Sequence, residues 1–348
     1  MNAVAVLSGL GKAVPDRIVT NDDLAAVMDT NDEWIRTRTG IRERRWAQPG
    51  QSSDDLGETA ARMALTHFAG SVSAGIDRID TVIKATFTPP SRCVTGAATI
   101  ASKLGIRTPF AFDIQAACSG FVYGSAIAQG LIAAGIAKNV LVIGAEVTST
   151  SIAPDDRGTA ILFGDGAGAA IYTPGEVDEP GALGPFDLHT DGTASDILDW
   201  RGSDQMMNPA WHFNEQVNID HHWFLQMNGT QVYKRAVPAM ATSTQAALDM
   251  RGWSIDQLDH LIGHQANQRI LHAVAQRLHL DPAKAFTNLQ AYGNTSAASI
   301  PLALTEASEQ GVLKAGDTVA LTAFGAGLTW GSTTLIWPDL PPIPDIFS

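Results

Sequence analysis

Cys118 stands where the apolar run 109–115, which reads as a strand, gives way to the small-residue run 118–126, which reads as a helix. A thiol at a helix start is a candidate nucleophile. Free cysteine titrates near about 8.5, and backbone N–H groups together with the positive dipole end of a helix favour the thiolate. The position therefore predicts a lowered pKa at Cys118, against the plain alternative of a small buried apolar side chain. A thiolate that attacks a carbonyl also needs a partner base and donors that hold the resulting charge. Two polar residues of the second half suit that work. His264 follows the strand-like run 258–263 and precedes a helical run from Gln268, while Asn294 lies in the turn-to-helix run 292–300. Side chains on turns after strands project at the carboxyl edge of a sheet, where α/β proteins place their chemistry. Taken singly, each also reads as a capping group.

The elements that must position these residues occur twice. Residues 76–83 read like 255–262, 111–116 like 285–291, and 138–145 like 316–323. Three blocks matched in one order predict two copies of a unit with a shared cleft, divided as 1–178 and 179–348. The matching sets Cys118 and Asn294 at nearly equivalent places. Val-, Ile- and Leu-rich segments alternate with Ala-rich helical stretches, which predicts a layered α/β architecture with sheets covered on both faces. The long irregular stretch 175–226, with Trp200, Trp211, Phe213, Trp223 and Phe224, reads as a connector and partial lid.

Composition narrows the classes. The chain has 348 residues, 45% of them hydrophobic and 17% charged, so a large core is expected from two packed half-size units. A formal net charge of −13 argues against nucleic acid as a partner. With only two cysteines there is no disulfide framework, and a reducing compartment fits. The N-terminal residues 1–7 lack a basic region and read as a first strand, and no apolar stretch is long enough for a bilayer, so a cytoplasmic protein without membrane contact is expected.

As a set, the motifs resemble the β-ketoacyl-[acyl-carrier-protein] synthase III family of thiolase-fold condensing enzymes. They are residues 31–35 with 37–42, the run Ala116-Ala117-Cys118-Ser119-Gly120-Phe121, residues 156–158 with 163–167, the run 264–270, the run 293–301, and 324–331. The resemblance extends from about residue 3 to 337 and implies a thiolase-like fold of two duplicated α/β halves in α-β-α-β-α layers. It also implies a homodimer and no resident cofactor, since CoA arrives as part of a thioester substrate. The activity implied is decarboxylative Claisen condensation of an acyl-CoA primer with malonyl-acyl carrier protein, through an acyl group on Cys118, at the initiation of fatty acid synthesis.

Residue roles follow from motif position. The N–H groups of Cys118 and Ala326 are expected to hold the tetrahedral oxyanion, although glycine is commoner at the second place and alanine restricts the backbone. His264 Nε2 and the Asn294 amide are expected to donate to the enolate oxygen, and Phe324 to form an apolar wall that favours loss of the malonyl carboxylate as CO2. Thr30-Asn31-Asp32-Glu33 has capping-box spacing, which sets Trp34 and Arg38 one turn apart. With Arg157 they match a clamp for the adenine of CoA. Lys234, Arg269 and Arg277 resemble a basic patch for an acidic carrier protein. Cys93 falls where the family gates primer size, on a residue contributed across the dimer interface, and its small side chain predicts room for primers longer or more branched than acetyl.

Rival readings are weaker. A biosynthetic thiolase needs a second cysteine late in the chain, which is absent, and the run Gly325-Ala326-Gly327 lacks the proline usual in plant-type polyketide synthases. A family member that primes a polyketide or transfers acyl groups in specialised metabolism is the closer rival, and an inactive partner subunit the remote one. Metal chemistry is not expected: His260 and His264, four apart on a strand, stand ~13 Å from each other. The glycine clusters lack the Lys-Ser/Thr of a phosphate loop.

Overall fold

The computed structural model describes residues 3–107, 109–153, 155–200 and 224–344. Trp211, Phe213 and Trp223 of the expected lid lie outside them. In chain order the strands are β1 (Val4–Ala13), β2 (Ile18–Thr20), β3 (Glu43–Arg45), β4 (Thr81–Ala85), β5 (Phe110–Ile114), β6 (Val140–Glu146) and β7 (Gly166–Gly175). They continue with β8 (Phe186–Thr190), β9 (Leu198–Asp199), β10 (Gln226–Met227), β11 (His260–Gly263), β12 (Thr318–Gly325) and β13 (Thr329–Ile336).

A five-stranded sheet has the order β1-β7-β6-β4-β5, and a four-stranded sheet the order β11-β12-β13-β8. In the first, β4 runs parallel to β5 and β6, while β7 is antiparallel to β6 and β1. In the second, β11 is parallel to β12, and β13 is antiparallel to β12 and β8. The second sheet thus repeats the first, with β11, β12, β13 and β8 in the places of β4, β6, β7 and β1. The counterpart of β5 is reduced to one bridge, Leu261 to Ala285. The duplicated, layered α/β fold expected from the matched blocks is therefore present.

Central strands read as unbroken apolar runs because both faces are covered. Every residue of β6, Val-Leu-Val-Ile-Gly-Ala-Glu, is buried. The helix Ser53–Ala69 covers the outer face of the first sheet; Ser52 and Asp55 form its capping box, and Gly70 ends it at φ 76°. Between the sheets lie the helices Gly120–Ala133 and Ser299–Glu309, with Phe121, Val122, Ile300 and Leu304 in the central core. The helix Gly229–Arg251 covers the outer face of the second sheet. The middle layer is tight: a side chain on Gly144 of β6 would set its Cβ 2.3 Å from the Ala297 carbonyl oxygen. No helix among the described residues is long and apolar enough to cross a membrane.

Candidate active site

Cys118 lies in a single 3₁₀ turn, Ala117–Ser119, between the end of β5 and the helix Gly120–Ala133. Ala117 takes φ 45°, an unfavourable value for a residue with a side chain, and so aims the next residue out of the strand direction. The thiol is only 7% exposed. Contrary to the lowering expected at a helix start, its pKa is pushed up to about 12; burial is the main cause, the Glu146 carboxylate adds to it, and a hydrogen bond from Ser296 opposes it. Desolvation of the sulfur outweighs the few N–H groups of a one-turn start, so the resting group is a thiol.

The segment after β12 closes over this turn. A Cβ on Gly325 would sit 2.7 Å from the Cys118 nitrogen, so only glycine permits the approach. The Thr329 hydroxyl donates to the carbonyls of Ala116 (3.0 Å) and Ala326 (3.1 Å), and Ser119 Oγ donates to Thr329 O at 2.9 Å. Ala326 and Cys118 consequently line one cavity of about 300 Å³, with Phe87, Trp200 and Leu225 among its walls.

A second cavity, of about 80 Å³, brings Cys118, His264, Asn294 and Phe324 together. His264 follows β11, and its N–H extends the parallel ladder by donating to Thr322 O at 2.8 Å. Its Nδ1 lies 2.7 Å from Ser299 Oγ, and burial pushes its pKa down to about 3, so the imidazole is neutral. Were Ser299 the donor to Nδ1, the ring proton would sit on Nε2. Asn294 bridges to Phe163: its N–H donates to Leu162 O (2.7 Å), and its carbonyl accepts from Gly164 N–H (3.0 Å). Its Oδ1 accepts from Ser296 N–H at 2.9 Å, which leaves the Nδ2 end of the amide for the cavity. Phe324, next to last in β12, is a buried wall stacked on Trp330, with ring centroids 6.2 Å apart.

The repeat relation differs in detail from the sequence matching. The counterpart of the Cys118 turn is the 3₁₀ turn Ser296–Ala298, where Ser296 at φ 52° matches Ala117 and Ala297 matches Cys118. A longer connection through Gly293 carries Asn294 away from that turn and onto Phe163.

Trp34 and Arg38 share the helix Asp32–Thr39 as their spacing predicts, but its cap is Asn31, whose Oδ1 accepts from Trp34 N–H at 2.8 Å. The Thr30 hydroxyl is buried with no hydrogen-bond partner. The guanidinium carbons of Arg38 and Arg157 lie 4.3 Å and 4.6 Å from the Trp34 ring centroid. Asn267, on the wall of the smaller cavity, donates to Arg38 O, and Arg269 donates to Thr37 O at 2.8 Å. Arg269 is thus tied to the helix that carries Trp34. Arg277 is exposed in the last turn of the helix Gln268–Arg277, and Lys234 lines an open cleft behind Phe324 and Trp330. Cys93 is exposed and outside the Cys118 cavities; it lines a neighbouring cavity of about 410 Å³ that shares Phe87, Gln115 and Trp200 with the larger one. Among the described residues no His, Cys, Asp or Glu group is placed to hold a metal.

Sequence reasoning missed Ser299, Ser296 and Glu146. Only the last left a signal, a carboxylate ending a wholly apolar strand.

The matching family models are described as 3-oxoacyl-[acyl-carrier-protein (ACP)] synthase III, over residues 112–192, and its C-terminal part, over 248–337. The chain is 46% identical over 340 residues to a Streptomyces coelicolor protein named beta-ketoacyl-[acyl-carrier-protein] synthase III 5, covering 98% of this chain and 99% of that one. The crystal structure of 3-oxoacyl-(acyl carrier protein) synthase III from Pseudomonas aeruginosa superposes with a TM-score of 0.87 at 43% identity, covering 97% of this chain and 100% of the other. The priming β-ketosynthase of the R1128 polyketide pathway superposes with a TM-score of 0.85 at 33% identity, covering 97% of each chain.

Proposed function

The chain belongs to the β-ketoacyl-[acyl-carrier-protein] synthase III family of acyl-transferring condensing enzymes, and on that premise we propose that it joins an acyl-CoA primer to malonyl-acyl carrier protein through an acyl group on Cys118. The observation that carries this reading is the meeting of Cys118, His264, Asn294 and Phe324 around one small cavity.

In the first half-reaction Cys118 Sγ attacks the thioester carbonyl, the tetrahedral oxyanion is held by the Cys118 and Ala326 N–H groups, and CoA leaves. One such donor is worth about 3 kcal/mol. In the second, malonyl on its carrier loses CO2 beside the apolar Phe324 ring, where desolvation disfavours the carboxylate. His264 Nε2–H and the Asn294 amide donate to the enolate oxygen while its carbon attacks the acyl-cysteine. A neutral imidazole suits this role, because it donates a hydrogen bond without surrendering a proton to the carbanion. No resident cofactor takes part.

Trp34, Arg38 and Arg157 hold the adenine end of CoA, and Lys234, Arg269 and Arg277 receive the acidic carrier protein. The protein works as a homodimer. In support, among the described residues β5 pairs only with β4; Phe110 at its start is 53% exposed, and Asp113 and Ile114 at its end line the cavity that holds Cys93. Primer choice extends beyond acetyl: an apolar cavity of about 150 Å³ is enough to take up benzene, and the one beside Cys118 is about 300 Å³.

Condensation with malonyl-acyl carrier protein, measured for acetyl-, isobutyryl- and hexanoyl-CoA with Cys118→Ala as control, tests these points. Ketoacyl product from all three and none from the variant is expected. Strict acetyl preference would overturn the pocket argument, and product from the variant would overturn the mechanism. The 33% identity to a priming β-ketosynthase favours one second reading, the same chemistry applied to starting a polyketide.

A further inference from the structure

We propose that Ser296 and Glu146 form the route by which the thiol proton leaves Cys118 during acyl transfer, Ser296 as the hydroxyl that takes the proton from the sulfur and Glu146 as the acceptor behind it. The inference rests on the acyl-transfer step above and names two residues which that step leaves unused.

A thiol must lose its proton to attack, and His264 is a poor acceptor: its Nδ1 is engaged with Ser299, and burial holds its pKa near 3. The Ser296–Ala298 turn packs against the turn that carries Cys118, and its Ser296 hydroxyl, backed by the Glu146 carboxylate, acts on the thiol. While Cys118 is a thiol, Ser296 Oγ donates to Glu146 Oε1 at 3.3 Å and keeps its lone pairs for the S–H; the same hydroxyl turned to the sulfur is what favours the thiolate. Ser296 is held at φ 52°, a conformation that a residue with a side chain keeps only where its surroundings enforce it.

Glu146 is wholly enclosed at the end of β6. Among the described residues it makes no ion pair; Lys84 of the adjacent β4 bonds instead to Ser53 and Asp54. Its carboxylate accepts from Thr86 Oγ1 (2.9 Å), Thr88 Oγ1 (2.6 Å), Thr88 N–H (3.1 Å) and Phe87 N–H (3.2 Å). Burial raises its pKa to about 7 against the pull of those donors and of Lys84. Lys84 and Cys118 act on it electrostatically, and its value is that of an effective general base at neutral pH.

The step balances. As Sγ bonds to the thioester carbon, its proton passes to Ser296 Oγ and the Ser296 proton to Glu146. As the tetrahedral adduct collapses and the carbon–sulfur bond to CoA breaks, the protons return along the same route to the departing sulfur. CoA leaves as a thiol and Glu146 is again a carboxylate.

Single-turnover acylation by acyl-CoA and, separately, condensation from pre-acylated protein are measured on wild type, Ser296→Ala, Glu146→Gln and the double variant. Ser296→Ala keeps all four Thr and Phe donors to Glu146 and so guards against misfolding. Expected is a loss of about 100-fold in acylation for each variant, a double variant no slower than the singles, and condensation within about threefold of wild type. Wild-type acylation should also rise with pH through about 7, an inflection that Glu146→Gln removes. Equal losses in both half-reactions, or unaltered acylation in both single variants, would overturn the relay alone. Wild-type protein that takes no acyl group would overturn the acyl-transfer reading on which it rests.

Discussion

Burial sets the protonation states on which the residues of this site depend. It holds His264 neutral, with a pKa of about 3, and keeps Cys118 a thiol, with a pKa of about 12. Neutral His264 is expected to serve the second half-reaction only. Substituting His264→Ala, or Asn294→Ala, should leave acylation of Cys118 within about threefold and slow condensation by about 10²–10³, the usual cost of one oxyanion donor. Separate measurement of the two half-reactions checks this; an equal loss in both would show that the pair acts on the thiol instead. That Cys118, His264 and Asn294 lie at one cavity was legible because each stands at a turn that leads into a helix. The direction of the thiol pKa was not, because dipole and N–H groups can be read from a helix start while desolvation depends on how Gly325 and Ser296 close over the sulfur. Glu146 and Ser296, distant in the chain, become neighbours only when the two repeats fold together.

At the scale of elements, the matched blocks gave β4, β5 and β6 of the first sheet and β11 and β12 of the second, but not the divergence of the two repeats. In the second repeat β5 shrinks to the Leu261–Ala285 bridge, and the added connection through Gly293 moves Asn294 off the turn that mirrors Cys118. Insertions of this kind leave the hydrophobic pattern untouched and so cannot be read from it. Among the described residues the surviving β5 has an open edge, which sheet proteins cover or pair. In the proposed homodimer it pairs with its own copy, so Phe110→Asp should convert a particle of about twice 36.8 kDa to one of 36.8 kDa in light scattering. Wild-type protein at 36.8 kDa, or a variant that keeps the doubled mass, would contradict the pairing.

Over the whole molecule, two copies of one α/β unit stand back to back, and the site forms where their central turns meet: the thiol from the first, the imidazole and amide from the second. The layers were legible because alternating apolar strands and Ala-rich helices admit few other arrangements. The cavities were not, since their volumes depend on how Phe87, Trp200 and Leu225 pack. In the proposed cycle, joining the halves at one sulfur makes that atom the carrier of the acyl group. Peptide-resolved mass spectrometry after incubation with an acyl-CoA tests this most directly. The acyl mass should appear on the peptide containing Cys118, be absent from that containing Cys93, and vanish on addition of malonyl-acyl carrier protein. An acyl group that settles on another residue, or that persists on Cys118 once malonyl-acyl carrier protein is present, would contradict the account.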